Sequence, residues 1–351
     1  MTNSSDTIDG DTSSVEALAA NPGPDGTSLR ESIEATNRDP GISTINFSSS
    51  LQGATIAVAQ PLQLEGGNVL INGDIDSDGL PDVTLDGSST EQPDTGDAFR
   101  IKSSGNTLHA MALNGFFKGV RFLSIAPDGI RSDNVISGLE MTSIREYGVM
   151  LTDTAARTRW VDTLIVGNTI EVDHSLSPEL WFGGVNFPIS AGSVLERTTI
   201  AHNTIRIARG GVPEQPFVAT EGSQAILVAT GSDSQAEVVD TLIAYNTIEM
   251  VDNAGWDGDF GIEVRAGGVG GNDNVVDGLR IVDNHIQMAT PGSSTGIQLM
   301  ASGEVTGSYA EGNVMRNVAI LGNTIAGPGA RAIDLGKATG NSNVLTTRIP
   351  R

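Results

Sequence analysis

The sequence predicts an all-β solenoid: short parallel strands wound into coils that stack along one axis. Three observations carry this prediction. Two short phrases recur at long intervals, each alternates apolar and polar residues with period 2, and Gly, Asn and Asp punctuate them where corners must form. One phrase is Asn-x-Ile, at Asn134, Asn168, Asn203, Asn246, Asn284 and Asn323. The other is a small residue followed by aliphatic-x-aliphatic, beginning at Ala98, Gly119, Gly148, Gly184, Ala225, Gly261, Gly296 and Ala332, with gaps of 21, 29, 36, 41, 36, 35 and 36 residues. One such unit cannot bury its apolar side, whereas stacked units share a continuous core. Coils beyond Gly148 are longer than three short strands and tight turns require, so the excess is read as protruding loop.

Residues 1–26 are polar and rich in Gly and Pro and read as a flexible lead-in. Residues 27–47 read as an N-terminal cap, a helix plus a first strand: Ser28 and Glu31 form a capping-box pair, Leu29 and Ile33 share a face, and Pro40-Gly41 ends the helix. A cap is needed because an open solenoid end exposes core and unpaired strand groups. Residues 48–345 read as the coils and 346–351 as a tail. Within a coil, Asn at a corner has two expected uses: it tolerates the left-handed conformation, and amides stacked at one corner hydrogen-bond in a ladder. The Gly that opens the second phrase is expected to serve a corner with positive φ.

Composition bounds the chemistry. The 351 residues include no Cys, which excludes disulfides and cysteine-based sites. Lys and Arg total 20 against 43 Asp and Glu, a formal net charge of −23, which argues against nucleic acid, whose phosphates require a basic footprint. No apolar run is long enough for a membrane span, and the start has neither the basic nor the apolar region of a signal peptide.

The segment "SLRESIEATN…PGISTINF", then "LINGDIDSDGLPDVTLDG", then Asn-x-Ile coils ending in "GNTIAGPGARAIDLG" resembles secreted bacterial right-handed parallel β-helix proteins of the pectin-lyase-like group. Their capping segment often reads Cys-Ser-Leu-Arg-Glu-Ala; here Thr27 and Ser32 stand at the first and last positions. The resemblance implies a right-handed parallel β-helix over about residues 25–340 and a secreted or cell-surface location. It is weak for activity, since this fold hosts lyases, hydrolases, epimerases, adhesins and tailspikes. The polygalacturonase, alginate-epimerase and pectate-lyase catalytic patterns of the group are not found, so no catalytic set carries over.

Chemistry is therefore expected on outward positions and loops. On the Asn-x-Ile strand the outward positions stack Glu171, Arg206, Glu249 and Gln287; on the next strand they include Asn186, Glu263 and Gln298, with Arg265 one step along. Glu and Arg there suit a sugar-acid polymer, and the alternative is a solvated charge ladder between coils. Long loops carry Trp181 and Trp256, which with Tyr147 set aromatic rings for sugar faces beside Asp257, Asp259 and His174. A glycoside hydrolase would draw two carboxylates from Glu249, Asp257, Asp259 and Glu263; a polysaccharide lyase would use Arg206, Arg265 and His174. "DIDSDGLPD" places Asp74, Asp76, Asp78 and Asp82 at Ca²⁺-loop spacing without the flanking helices of an EF-hand, so an ion there would be structural; an acidic hairpin turn is the alternative. The functional expectation is binding and cleavage of an extracellular polysaccharide, with or without uronate; the alternative is a non-catalytic surface or adhesin-like module. A homo-oligomer is compatible with either, although no hydrophobic stripe demands one.

Overall fold

The structure, a computed structural model, describes residues 1–39, 41–90, 96–124, 127–153, 157–173, 182–208, 223–230, 235–251, 259–267, 271–289, 294–301, 311–328, 330–336 and 344–348. The chain forms a right-handed parallel β-helix of three long parallel sheets. Each later coil runs through sheet A, then B, then C: Leu164–Val166, Thr169–Asp173 and Gly183–Ile189 make one coil and pair in parallel with Thr199–Ala201, Thr204–Ala208 and Gln224–Thr230 of the next. Sheet A is bent. Arg159–Val161 and Leu164–Val166 flank Asp162, which takes a left-handed φ of 53°, and the two rows of strands merge in Val314–Leu321.

Period-2 alternation sends one set of side chains into the bore, where they stack coil on coil. Ile165, Ile200, Ile243 and Ile281 form the column from sheet A; Ile170, Ile205, Ile248 and Ile286 that from sheet B; Val185, Ile226, Ile262 and Ile297 that from sheet C, all fully buried. Each such side chain contributes about 1.5–3 kcal/mol when buried. Trp160 lies wholly inside, with Phe122 edge-on at 5.9 Å and Phe187 against Phe122 at 5.8 Å.

All eight phrases of the second series lie in sheet C in one register, as in the pairing of Val149 with Val185 and of Ile226 with Ile262. Their glycines, however, are not at left-handed positions. A Cβ on Gly261 would sit 2.6 Å from Ile286 Cγ2, and one on Gly119 2.7 Å from Met141 Sδ, so the requirement is close approach to the sheet B column.

The Asn corner also needs correction. Asn168, Asn203, Asn246 and Asn284, all buried, and the partly buried Asn323 form a ladder in which each Nδ2 donates to the Oδ1 of the next, at 2.9–3.0 Å. Each Nδ2 also caps a carbonyl of sheet A, as Asn246 does for Ile200 at 2.9 Å. Asn134 belongs to a different corner, one turn earlier in the coil, where Asn106 Nδ2 donates to it at 2.9 Å. The left-handed residue is the one before each ladder Asn: Gly167, His202, Tyr245, Asp283 and Gly322, with φ of 66, 56, 56, 51 and 66°. For a side chain larger than Gly this costs about 1–2 kcal/mol per residue. At another corner Arg197, also left-handed, is held by two bonds to Asp162 at 2.7 and 2.8 Å. His202 and Tyr245 have their mutual stacking, ring centroids 4.9 Å apart and 12° from parallel. Stacking returns about 0.5–1.5 kcal/mol for the pair, which offsets part of the cost of the two left-handed residues.

The N-terminal end is closed by α1 (Val15–Ala20) and α2 (Leu29–Arg38). The Ser28/Glu31 capping box is present, and Leu29 and Ile33 join the core. Residues 1–26, expected as a flexible lead-in, instead belong to this cap: the Glu31 carboxylate accepts from the amides of Asp9 (2.8 Å) and Gly10 (2.6 Å), and Thr2 donates to the Thr27 carbonyl at 2.8 Å. Nor does a tail begin at 346, because Val344–Arg348 is a strand paired with Val314–Leu321. Among the described residues no helix is long and apolar enough to cross a membrane.

Candidate functional site

Outward positions of sheets B and C face different directions, since the chain turns a corner between them. This separates the residues expected to act together. On sheet B, Glu171, Arg206 and Glu249 stand side by side in register. Arg206 Nη1 pairs with Glu171, and Arg206 Nε lies 3.6 Å from Glu249 Oε2, all three side chains being 39–54% exposed. Such exposed pairs contribute about 0–1 kcal/mol each. This row is the solvated charge ladder, and it occupies Arg206.

On sheet C the outward row runs Asn186, Leu227, Glu263 and Gln298 in register, with Ala229, Arg265 and Met300 in the parallel row beside it. Glu263 is fully buried although it points away from the bore. Its Oε1 accepts from Arg265 Nε, while its Oε2 has no hydrogen-bond partner. Asn186, two strands away and only 6% exposed, likewise has an unpartnered Oδ1. Two strand spacings separate the pair, about 9.5 Å, with the side chain of Leu227 between them. Buried polar atoms are almost always satisfied, and leaving one unpaired costs about 1–3 kcal/mol. These two unpartnered acceptors flank the apolar side chain of Leu227 on one outward row.

Asp259 precedes the Glu263 strand, Phe260–Arg265, and is buried; it accepts from Ser223 Oγ at 2.6 Å and Ser223 N at 3.3 Å. Tyr147 opens the strand Tyr147–Asp153 but is only 6% exposed, so it does not offer an open ring face to a sugar. His174, Trp181, Trp256 and Asp257 lie outside the described residues. Sequence reasoning passed over Asn186 as one more outward residue, and nothing in the local sequence distinguishes it. It also missed a buried charged cluster on the early coils of sheet C, where Lys118 pairs with Glu146 and Arg100 Nε donates to Asp97 at 2.6 Å. Lys118 is one of only three lysines, the one signal that could have marked it.

The acidic loop brings Asp74, Asp76 and Asp78 together, with ligand atoms within 4.8 Å of one another. Asp82 stands apart: it accepts from Ile75 N (2.7 Å), Asp76 N (3.2 Å) and Gln52 Nε2 (3.2 Å). Partial burial works against its charge, but these donors outweigh it and hold the carboxyl below the usual range. The Asp74 carboxylate also takes the amides of Asp78 and Gly79, each at 3.1 Å, so the loop folds around its own acids. Three clustered carboxylates are a suitable oxygen set for Ca²⁺.

No protein-family model matches this chain, and no curated protein matches it in sequence. Solved structures similar to it include the catalytic domain of a GH87 alpha-1,3-glucanase, at 14% identity and a TM-score of 0.35, covering 87% of this chain and 55% of that one. An endo-xylogalacturonan hydrolase from Aspergillus tubingensis is 10% identical with a TM-score of 0.32, covering 100% and 99%. The A-module of the Azotobacter vinelandii mannuronan C-5 epimerase AlgE4 is 12% identical with a TM-score of 0.29, covering 89% and 94%. This chain thus spans about half the length of the glucanase domain, and at these values the likeness carries nothing about activity.

Proposed function

We propose that this protein binds and cleaves an extracellular polysaccharide along the outward face of sheet C, with Glu263 as the reacting acid or base. The observation that carries this reading is the buried Glu263 carboxylate, with one oxygen on Arg265 and the other unpartnered. A glycosidic oxygen, a sugar hydroxyl or an attacking water would satisfy that oxygen, and proton transfer through it is the chemistry of glycoside hydrolysis. Asp259, buried and four residues before Glu263, is the second carboxylate at the start of the same strand. A lyase is less well supported, because Arg206 faces another way and is engaged by Glu171. The second reading, binding without cleavage, is favoured by the hold of Ser223 on Asp259.

The test is a screen of the purified protein against neutral and uronate polysaccharides with Ca²⁺, following reducing ends and the ultraviolet absorbance of unsaturated uronate ends together. Reducing ends alone are the expected result; both signals together would make it a lyase acting through Arg265. Binding without either signal would leave the second reading, and no binding at all would remove both. Ca²⁺ at Asp74, Asp76 and Asp78 enters this reading as a structural ion. Millimolar Ca²⁺ is expected to raise the thermal midpoint of the parent protein and not that of Asp76→Asn, because an ion that binds only the folded state stabilises it. Equal midpoints with and without Ca²⁺ would leave an ordinary acidic turn.

A further inference from the structure

The corner between sheets A and B carries a feature that neither the core nor the sheet C face uses. His202 and Tyr245 occupy the left-handed position on adjacent coils, stacked and exposed, Tyr245 at 53%. On the other side of His202 the same position is Gly167, also exposed, where an added Cβ would meet nothing within 4 Å. One coil spacing is about 4.8 Å, close to the 4.9 Å between the two rings. A flat group seated at Gly167 would therefore continue the stack against the free face of His202. Beside the stack, Thr169, Thr204 and Thr247 stand in register on sheet B, exposed, and their hydroxyls have no partner among the described residues.

We propose that the Gly167 notch is a binding site for a neutral sugar ring, a second polysaccharide contact separate from the outward face of sheet C. The imidazole of His202 takes the apolar face of the ring, and the threonine ladder takes its hydroxyls. A uronate is disfavoured there: Asp283 follows Tyr245 in the corner row, and further along the same strands Glu171 and Glu249 share the single cation Arg206, which leaves the row net negative. The proposal rests on the polysaccharide reading for the identity of the ring, but the notch itself is independent of Glu263.

The test is native electrophoresis through gels cast with laminarin, xyloglucan or hydroxyethylcellulose, and through one cast with polygalacturonate. His202→Gly restores the residue type that the corner uses at 167 and 322, so it keeps the fold, which an unchanged thermal midpoint verifies. Gly167→Asn keeps a residue that tolerates the left-handed conformation and fills the notch. The parent protein is expected to be retarded in at least one neutral gel, and each variant is expected to weaken that apparent affinity about tenfold. Absence of retardation in every neutral gel overturns the proposal, as does retardation that both variants retain. A defect seen in Glu263→Gln and in neither notch variant would place the contact on sheet C and likewise overturn it.

Discussion

Glu263→Gln is expected to lower the rate of polysaccharide cleavage by about 10²–10⁴-fold, the usual contribution of a positioned acid or base. The substitution preserves size and the oxygen that accepts from Arg265, and removes the capacity to transfer a proton. The fold is expected to survive, because the Arg265 side chain is 25% exposed and keeps access to water when its anion is lost. Asn186→Leu acts differently. It leaves Glu263 in place and removes the other polar end of the row, so it raises KM far more than it lowers kcat if Asn186 positions the sugar. Equal rates for the parent protein and Glu263→Gln, measured by release of reducing ends, would remove Glu263 from the chemistry.

Asn246→Ala is expected to destabilise the coils by about 3–5 kcal/mol, because it leaves several buried polar groups without partners. The side chain is 1% exposed and makes four hydrogen bonds. Its Nδ2 donates to Ile200 O and Asn284 Oδ1, and its Oδ1 accepts from Asn203 N and Asn203 Nδ2, at 2.9–3.0 Å. Asn323→Ala removes the last rung, which is only partly buried, and is expected to cost about half as much. Because coils of a solenoid can open separately, native-state hydrogen exchange at the amides of 200–207 and 243–250 is the suitable readout alongside urea unfolding. A change below about 1 kcal/mol in Asn246→Ala would mean that the ladder is ornamental.

The architecture was legible because solenoid coils repeat their requirements. Eight small-aliphatic phrases announced sheet C, and all eight sit there. The two misreadings at the corners have separate physical origins. Asn134 carries the same Asn-x-Ile phrase as Asn168, yet it opens a sheet A strand, Val135–Ser137, whereas Asn168 opens one in sheet B, Thr169–Asp173. Two corners of one coil can ask for the same amide, and a phrase alone does not say which. The glycines of the second series were read as left-handed although Ala stands at 98, 225 and 332; those alanines already pointed to a limit of space and not of φ. The site was less legible. Glu249 and Glu263 are each outward on their own strand, and only the corner between sheets sends them apart. That Glu263 is buried on an outward position, and that its second oxygen is unpartnered, depends on what surrounds it in space, to which period-2 patterning is blind.

The most direct measurement of the central claim is a crystal structure of Glu263→Gln with an oligosaccharide of the polysaccharide selected by the screen. The expected result is a sugar ring over Leu227, with a hydroxyl donating to Asn186 Oδ1 at one end and a sugar oxygen accepting from the side-chain NH2 of residue 263 (the Gln side chain) at the other, its carbonyl oxygen staying on Arg265. A sugar seated only along Glu171, Arg206 and Glu249, with Asn186 untouched, would contradict it and move the site to sheet B.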